Sequence, residues 1–300
     1  MALGSRLRAL YRAALGAYRE FRQDGGSMLS AALAYHVLFA MAPALVLLAV
    51  IAVRFVGSAT PDGPMVQALN ELLGAELAEA LTTVAGGAAQ ARADVAAGIV
   101  GLALLVWAVV LLYMHLQDVF NRMWRVYVRP GAEAHLLLWA RVRRFSVMLV
   151  PFAVLAALAL ANALASTLGS YLPLGGFDIA LSLLSSPMTV ALAAWVSFLV
   201  LLKFLPDAHV PWRPAVIAAA VAALGWTLGT YLYGLYLSTA GTIPGYGPAG
   251  AVFVLLLWLN YSTRLVLVCC KMTKLWVEFR GGGVQPLPHA TLLHLELVED

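Results

Sequence analysis

The side chains in this chain best suited to acid–base or metal chemistry are its histidines. They are His36, His115, His135, His209, His289 and His294. A metal-dependent hydrolase needs histidine and carboxylate ligands that converge on one ion, often through spacings such as H-x-H or H-E-x-x-H. None of the six has such a spacing, and neither a GxxxxGK[ST] phosphate loop nor a GxSxG turn is present. The sequence therefore predicts no catalytic residue, no metal ligand, no cofactor and no enzymatic activity.

Arg264 interrupts the long apolar run over residues 249–270, and Asn260, Tyr261 and Ser262 lie close by. An arginine at the centre of a bilayer costs about 2.5–3.5 kcal/mol on insertion scales, so such a residue is a candidate for function. It could bind an anionic substrate or lipid headgroup in a cavity. Alternatively, its long stem could simply carry the guanidinium to the membrane surface.

Other polar residues lie within two further apolar runs. Tyr35 and His36 precede Pro43, whose missing N–H could allow a kink, and His36 could relay protons. Tyr231 follows a G-x-x-x-G pattern, which permits close approach of helices. These residues are candidate substrate contacts, although ordinary helix packing and interhelical hydrogen bonds would also account for them. Asp24 could pair with a loop arginine, but we expect it to cap a helix.

The composition excludes a soluble domain. Of the 300 residues, 62% are hydrophobic and only 11% are charged, whereas a soluble domain has about 25% charged residues. A disulfide scaffold is also excluded, because the two cysteines are the adjacent pair Cys269 and Cys270. The chain is therefore predicted to be an integral membrane protein.

Six apolar runs are long enough to cross a bilayer, which takes about 20 helical residues. They cover residues 31–56, 95–119, 145–168, 187–205, 215–237 and 249–270. Their continuity excludes the alternating strands of an outer-membrane barrel. We predict an all-α polytopic protein, with one six-helix membrane domain over residues 1–280 and a flexible cytoplasmic tail over residues 281–300.

Basic residues are concentrated in alternate connections between these runs. Five arginines precede the first run and six lie between the second and third, whereas the three opposite connections hold only Arg92. Because basic loops stay in the cytoplasm, we predict that both termini lie on the inner side. This topology explains the net charge of +4 without a nucleic acid partner. Anionic phospholipid of the inner leaflet is the expected partner of the basic loops.

Two segments outside the apolar runs have a helical pattern. Residues 3–24 alternate apolar side chains with arginines at helical spacing, which predicts an amphipathic helix lying on the inner membrane surface. Met65–Val84 also has helical spacing, with acidic residues between its leucines. We expect it to form one or two short helices on the outer side.

One long motif resembles a known family. The stretch Asp24-Gly-Gly-Ser-Met-Leu-Ser-Ala-Ala-Leu-Ala-Tyr35-His36-Val-Leu-Phe39-Ala-Met-Ala-Pro43 is similar to the opening of the YihY/BrkB family of bacterial inner-membrane proteins. Further matches are Asn121 with Trp124, Pro211-Trp212, Tyr246-Gly247, Trp258-Leu259 and Tyr261-Ser262. The chain departs from the family at Cys269-Cys270-Lys271-Met272, where relatives often have a Gly-Ala-Glu-like sequence.

The resemblance implies a multi-pass protein of the bacterial inner membrane, linked to transport, envelope lipid movement or serum resistance. Some members carry a ribonuclease BN label, which no residue pattern in this chain supports. We expect transport of a lipid or small amphipathic or anionic substrate through a cavity among the first, third, fifth and sixth spans. Arg264 and Tyr35 would be its main polar contacts. The alternative is a scaffold that does not transport and that assists an envelope protein partner.

Overall fold

The computed structural model describes residues 15–56, 95–129, 186–240, 247–279 and 283–292, with a few positions between 142 and 149. Within these residues the chain is mainly helical. Residues 15–23 form α1, and the longer helices are α2 (Gly26–Val56), α3 (Val95–Trp124), α4 (Pro187–Phe204), α5 (Trp212–Ala240) and α6 (Gly247–Phe279). Two short strands, β1 (Val126–Val128) and β2 (Ala290–Leu292), pair antiparallel.

The long helices coincide with five of the six predicted apolar runs. Ala103–Trp124, Trp212–Tyr236 and Val252–Phe279 are each long and apolar enough to cross a bilayer. Gly26–Met41 and Met188–Phe204 are shorter apolar helices by the same measure. Most of the third run and all of Met65–Val84 lie outside the described residues. The number of spans and the orientation of the termini therefore stay predictions.

The helices pack in the spatial order α3, α2, α6, α5, α4, and α6 also contacts α3 and α4. The turn between α1 and α2 depends on Gly25, whose φ of 72° is a conformation that side chains with a Cβ rarely adopt. Helix α4 starts at a conventional cap: the Ser186 hydroxyl accepts a hydrogen bond from the Thr189 amide, and Pro187 occupies the first turn. The Ser186 cap lies at the beginning of α4, whereas the last residues of that helix lie together with the Gly25 turn at one end of the bundle.

Burial is concentrated at that end, which we call the base. The base comprises residues 15–34, 113–129, 202–222, 267–278 and 283–292, and its apolar core contains Phe21, Phe120, Trp124 and Leu267. We call the described remainder of α2, α3, α5 and α6 the open half. There, large apolar side chains such as Trp107, Leu228 and Leu257 are more than half exposed. In a membrane protein such a surface meets lipid or substrate rather than water.

The structure adds detail to two predicted segments of the base. Residues 283–292, which begin the predicted tail, include β2, which pairs with β1, and Ala290 is buried. On the described part of the predicted amphipathic helix, Ala17 and Phe21 are buried in the protein core, whereas Leu15 and Tyr18 are about half exposed. Glu20 on the same helix forms ion pairs with lysines of α6. Residues 3–14 of that prediction lie outside the described residues.

Candidate functional site

A cluster of charges joins α1, α3 and α6 inside the base. Lys271 of α6 is fully buried, forms an ion pair with Asp24 and lies 3.5 Å from a Glu20 carboxylate oxygen. Arg125 approaches the other oxygen of Asp24 at 3.3 Å, and Lys274 lies 3.3 Å from Glu20. Three elements far apart in sequence are thus joined by charge pairs, of which Lys271 is the fully buried member. Asp24 was expected to cap a helix; its carboxylate pairs with these basic side chains instead.

The charge on Asp24 follows from this environment. Burial by itself would raise the pKa of Asp24, because it disfavours the charged form. The hydrogen bond and positive charge of Lys271, aided by Arg125, outweigh burial and hold the pKa of Asp24 below its ordinary value. The ion pair of Asp24 with Lys271 therefore stabilises the fold at pH values above the ordinary aspartate pKa. This contribution is lost as the pH falls through the lowered pKa of Asp24.

A second polar cluster forms around Asp207, in the turn between α4 and α5. Its carboxylate accepts hydrogen bonds from Asn121 at 2.5 Å and from Gln117 at 3.3 Å, both on α3. The Asn121 side-chain oxygen in turn accepts from the Asp207 amide at 2.8 Å. The His289 ring nitrogen Nε2 lies 2.9 Å from the other carboxylate oxygen. With only 1% of its surface exposed, Asp207 joins three separate segments of the base.

Residues 283–292 cross the base as a strap that contacts the end of α3 and the turn between α4 and α5. On one side, Val126–Val128 pairs with Ala290–Leu292, and the Arg129 amide donates to the His289 carbonyl at 2.9 Å. On the other side, the His209 amide donates to the Gln285 carbonyl at 2.8 Å. The strap therefore connects the end of α3 to the turn between α4 and α5.

Arg264 lies where the base meets the open half of α6. Its side chain is exposed, and the buried run of the helix begins one turn later, at Leu267. Next to it, the Thr263 hydroxyl lies 3.0 Å from the Ser30 carbonyl oxygen of α2 and 2.9 Å from the Leu259 carbonyl oxygen of its own helix, and it can donate its one hydrogen to either. Asn260 is partly buried one turn from Arg264. Within the described residues, Arg264 has no ion-pair partner.

The G-x-x-x-G pattern of α5 accommodates aromatic rings of α6. A Cβ at Gly229 would collide with the ring of Tyr261, and the Tyr261 hydroxyl donates to the Gly225 carbonyl at 2.8 Å. Trp258 stacks on Tyr261 with ring centres 5.7 Å apart. Tyr231 takes no part in this packing, because 69% of its surface is exposed.

The predicted residues of α2 meet α3 at a pair of stacked histidines. The rings of His36 and His115 lie 3.7 Å apart at 28°. Tyr35 packs edge-on to His36 and is 60% exposed. Sequence spacing gave no hint of this pair, because the two histidines are distant in the chain and meet only when the helices pack.

Comparison with known proteins gives the family. A family model described as Virulence factor BrkB matches residues 17–289. The chain belongs to the BrkB family. The resemblance inferred from the motif over residues 24–43 is therefore confirmed, and the chain is a membrane protein.

BrkB relatives are similar over most of this chain. It is 29% identical to a UPF0761 membrane protein of Alcanivorax borkumensis, in an alignment covering 91% of this chain and 62% of the relative. A UPF0761 membrane protein of Acinetobacter baylyi is 25% identical, with 94% and 65% covered. The chain thus spans less than two thirds of the length of either relative. No solved structure matches it.

In this BrkB chain the structure brings together some predicted residues and adds others. It places Tyr35 beside His36, and Asn260 one turn from Arg264, but Tyr231 lies apart from the aromatic packing of its own helix. Sequence reasoning missed Asp207 and its partners. The only available signal was that Asn121 and Pro211-Trp212 belong to the family motifs on either side of this cluster. Among the described residues, no group of three histidine, cysteine or acidic side chains could hold a metal ion.

Proposed function

We propose that this BrkB-family protein moves a lipid or a small amphipathic anionic substrate across the bacterial inner membrane. The observation that carries the proposal is the contrast between the two halves of the bundle. The base is held by buried ion pairs and a strap, whereas the open half exposes apolar and aromatic surface. A transporter needs such a difference, because a substrate must reach its site from one side while the other side is closed.

Arg264 is the proposed contact for the substrate's negative charge. It is exposed at the boundary between the closed base and the open half. A guanidinium binds carboxylate or phosphate through two parallel hydrogen bonds. A headgroup held there would leave its apolar chain along the exposed leucines and aromatic residues of α5 and α6. Without an ATP-binding motif in the sequence, we expect an ion gradient, a partner protein or the substrate gradient to provide the energy.

Anionic phospholipid is the proposed partner of the base surface. Arg19 and Arg22 are exposed on α1 and, with Gln23, line a shallow pocket of about 360 Å³. This surface could hold a lipid headgroup by charge attraction, which is worth about 1 kcal/mol per basic residue near an anionic leaflet. A nucleic acid partner is not needed to explain these charges.

The test compares Arg264→Ala with a matched variant, Arg213→Ala, in liposomes that contain the purified protein. Arg213 is also exposed, but it lies at the start of α5 in the base. We expect Arg264→Ala to reduce movement of a fluorescent phosphatidylglycerol between leaflets by at least tenfold, since a charge-assisted hydrogen bond contributes about 1.5–3 kcal/mol. Arg213→Ala should retain wild-type rates.

Two results would contradict the proposal. Equal lipid movement in protein-free and protein-containing liposomes would reject transport of this substrate and favour the scaffold that assists an envelope partner. Wild-type rates for Arg264→Ala would show that the side chain only reaches the membrane surface. Comparable yields of monodisperse protein for the three forms serve as the folding control.

A further inference from the structure

The stacked histidines between α2 and α3 have an unusual hydrogen-bond pattern. His36 Nδ1 lies 2.7 Å from the Ala32 carbonyl oxygen, and His115 Nδ1 lies 2.8 Å from the Leu111 carbonyl oxygen. A carbonyl oxygen only accepts hydrogen bonds, so each Nδ1 must carry the hydrogen. Each ring is thereby anchored to its own helix through the same atom.

The opposite nitrogen of each ring is left as an acceptor. When Nδ1 of a neutral imidazole carries the hydrogen, Nε2 presents a lone pair. Among the described residues, neither Nε2 has a hydrogen-bond partner. The two lone pairs belong to neighbouring rings, whose centres lie 3.7 Å apart.

A series of aromatic contacts extends from this pair. Tyr35 packs edge-on to His36 with ring centres 5.5 Å apart, and Phe39 lies 6.5 Å from Tyr35 and 6.2 Å from Trp107. Tyr35, Phe39 and Trp107 are each about half exposed. Aromatic faces attract a cation within about 6 Å of the ring centre.

We propose that His36, His115 and these aromatic rings bind a primary ammonium group. An ammonium has three N–H donors and one positive charge, which suit two lone pairs and several aromatic faces. A metal ion fits less well, because structural and catalytic zinc sites use at least three protein ligands and no third ligand stands with this pair among the described residues. This inference rests on the proposed function and names a second part of its substrate: an ethanolamine headgroup or a soluble primary amine.

The experiment is native mass spectrometry of the full chain in mild detergent with added phosphatidylethanolamine or phosphatidylcholine of identical acyl chains. Choline keeps the positive charge but has no N–H to donate. We expect wild-type protein to retain phosphatidylethanolamine about tenfold more than phosphatidylcholine, the factor that one charge-assisted hydrogen bond can provide. The double variant His36→Phe/His115→Phe keeps two stacked rings and removes both acceptors, and it should lose this preference.

His209→Phe is the matched control, because His209 is an exposed histidine in the base. It should retain the wild-type preference. Equal retention of the two lipids by wild-type protein, or an unchanged preference in the double variant, would overturn the proposal. Because the readout is binding, a clear preference without any lipid movement would uphold the ammonium site while rejecting transport.

Free ethanolamine separates the two sources of the ammonium group. If millimolar ethanolamine displaces bound phosphatidylethanolamine from wild-type protein, the site accepts soluble primary amines. If displacement fails while the lipid preference depends on both histidines, the ammonium must be presented by a lipid headgroup. Either result supports the ammonium site and assigns its source.

Discussion

Lys271 is fully buried, although a lysine ordinarily keeps its ammonium group in water. Its partners are Asp24 and Glu20, which come from a turn and a helix near the other end of the chain. A buried charge is tolerated only when it is paired, because desolvation costs several kcal/mol per ion. Burial of the Lys271 ammonium therefore requires that α1, α2 and α6 pack correctly. Substitution of Lys271 would test how much this ion pair stabilises that packing.

We expect Lys271→Met to lower the free energy of unfolding by about 3 kcal/mol, because it leaves the Asp24 carboxylate with only the partly exposed Arg125. The double variant Asp24→Leu/Lys271→Met should recover most of this loss, since no unpaired charge remains. The stabilities of the single and the double variant are compared by heating each protein in detergent and measuring the fraction that stays monodisperse. Equal destabilisation by the single and double variants would mean that the pair contributes through packing alone.

At the scale of elements, the strap over residues 283–292 differs most from the sequence-based expectation. Glycine and proline near residue 281 predicted flexibility, because both disfavour helices and regular strands. The strap is ordered through partners elsewhere: Val126–Val128, Asp207 and His209. A three-residue strand is too short to have a recognisable pattern of its own. Its position therefore could not be predicted from the local sequence.

The strap predicts a specific disulfide. Tyr127 and Thr291 lie opposite each other in the antiparallel pair, where Cα atoms are about 4.5–5.5 Å apart and within reach of a disulfide. In a chain with Cys269→Ala and Cys270→Ala, we expect Tyr127→Cys/Thr291→Cys to crosslink fully on mild oxidation. Loss of free thiols, restored by a reductant, measures it. The off-register pair Tyr127→Cys/Gln285→Cys should stay reduced; similar crosslinking of both pairs would mean that the strap moves freely.

At the scale of the whole molecule, hydropathy predicted the helices better than their contacts. Each apolar run reflects a local preference for the bilayer, so the positions of α2, α3, α5 and α6 could be predicted from the apolar runs alone. The base depends on pairs such as Asp24 with Lys271 and Asn121 with Asp207, which form only when distant segments pack. For the candidate site, Arg264 and His36 could be found as polar interruptions of apolar runs. His115 interrupts the second run in the same way, but its pairing with His36 could not be predicted, because the two rings meet only when α2 and α3 pack.

The base should face the cytoplasm, because it carries most of the basic residues that the structure describes, and basic loops are retained on that side. His209 and Gln285 are both exposed there, and their backbones are joined by a hydrogen bond. In the background without Cys269 and Cys270, we expect His209→Cys and Gln285→Cys to react with a membrane-impermeant maleimide only in inverted vesicles. Asp62→Cys, in the predicted outer connection whose one basic residue is Arg92, should react in intact spheroplasts. Labelling of both base cysteines in intact spheroplasts would show that the base faces outward. Labelling of only one of them would show that the strap and the turn between α4 and α5 lie on different sides.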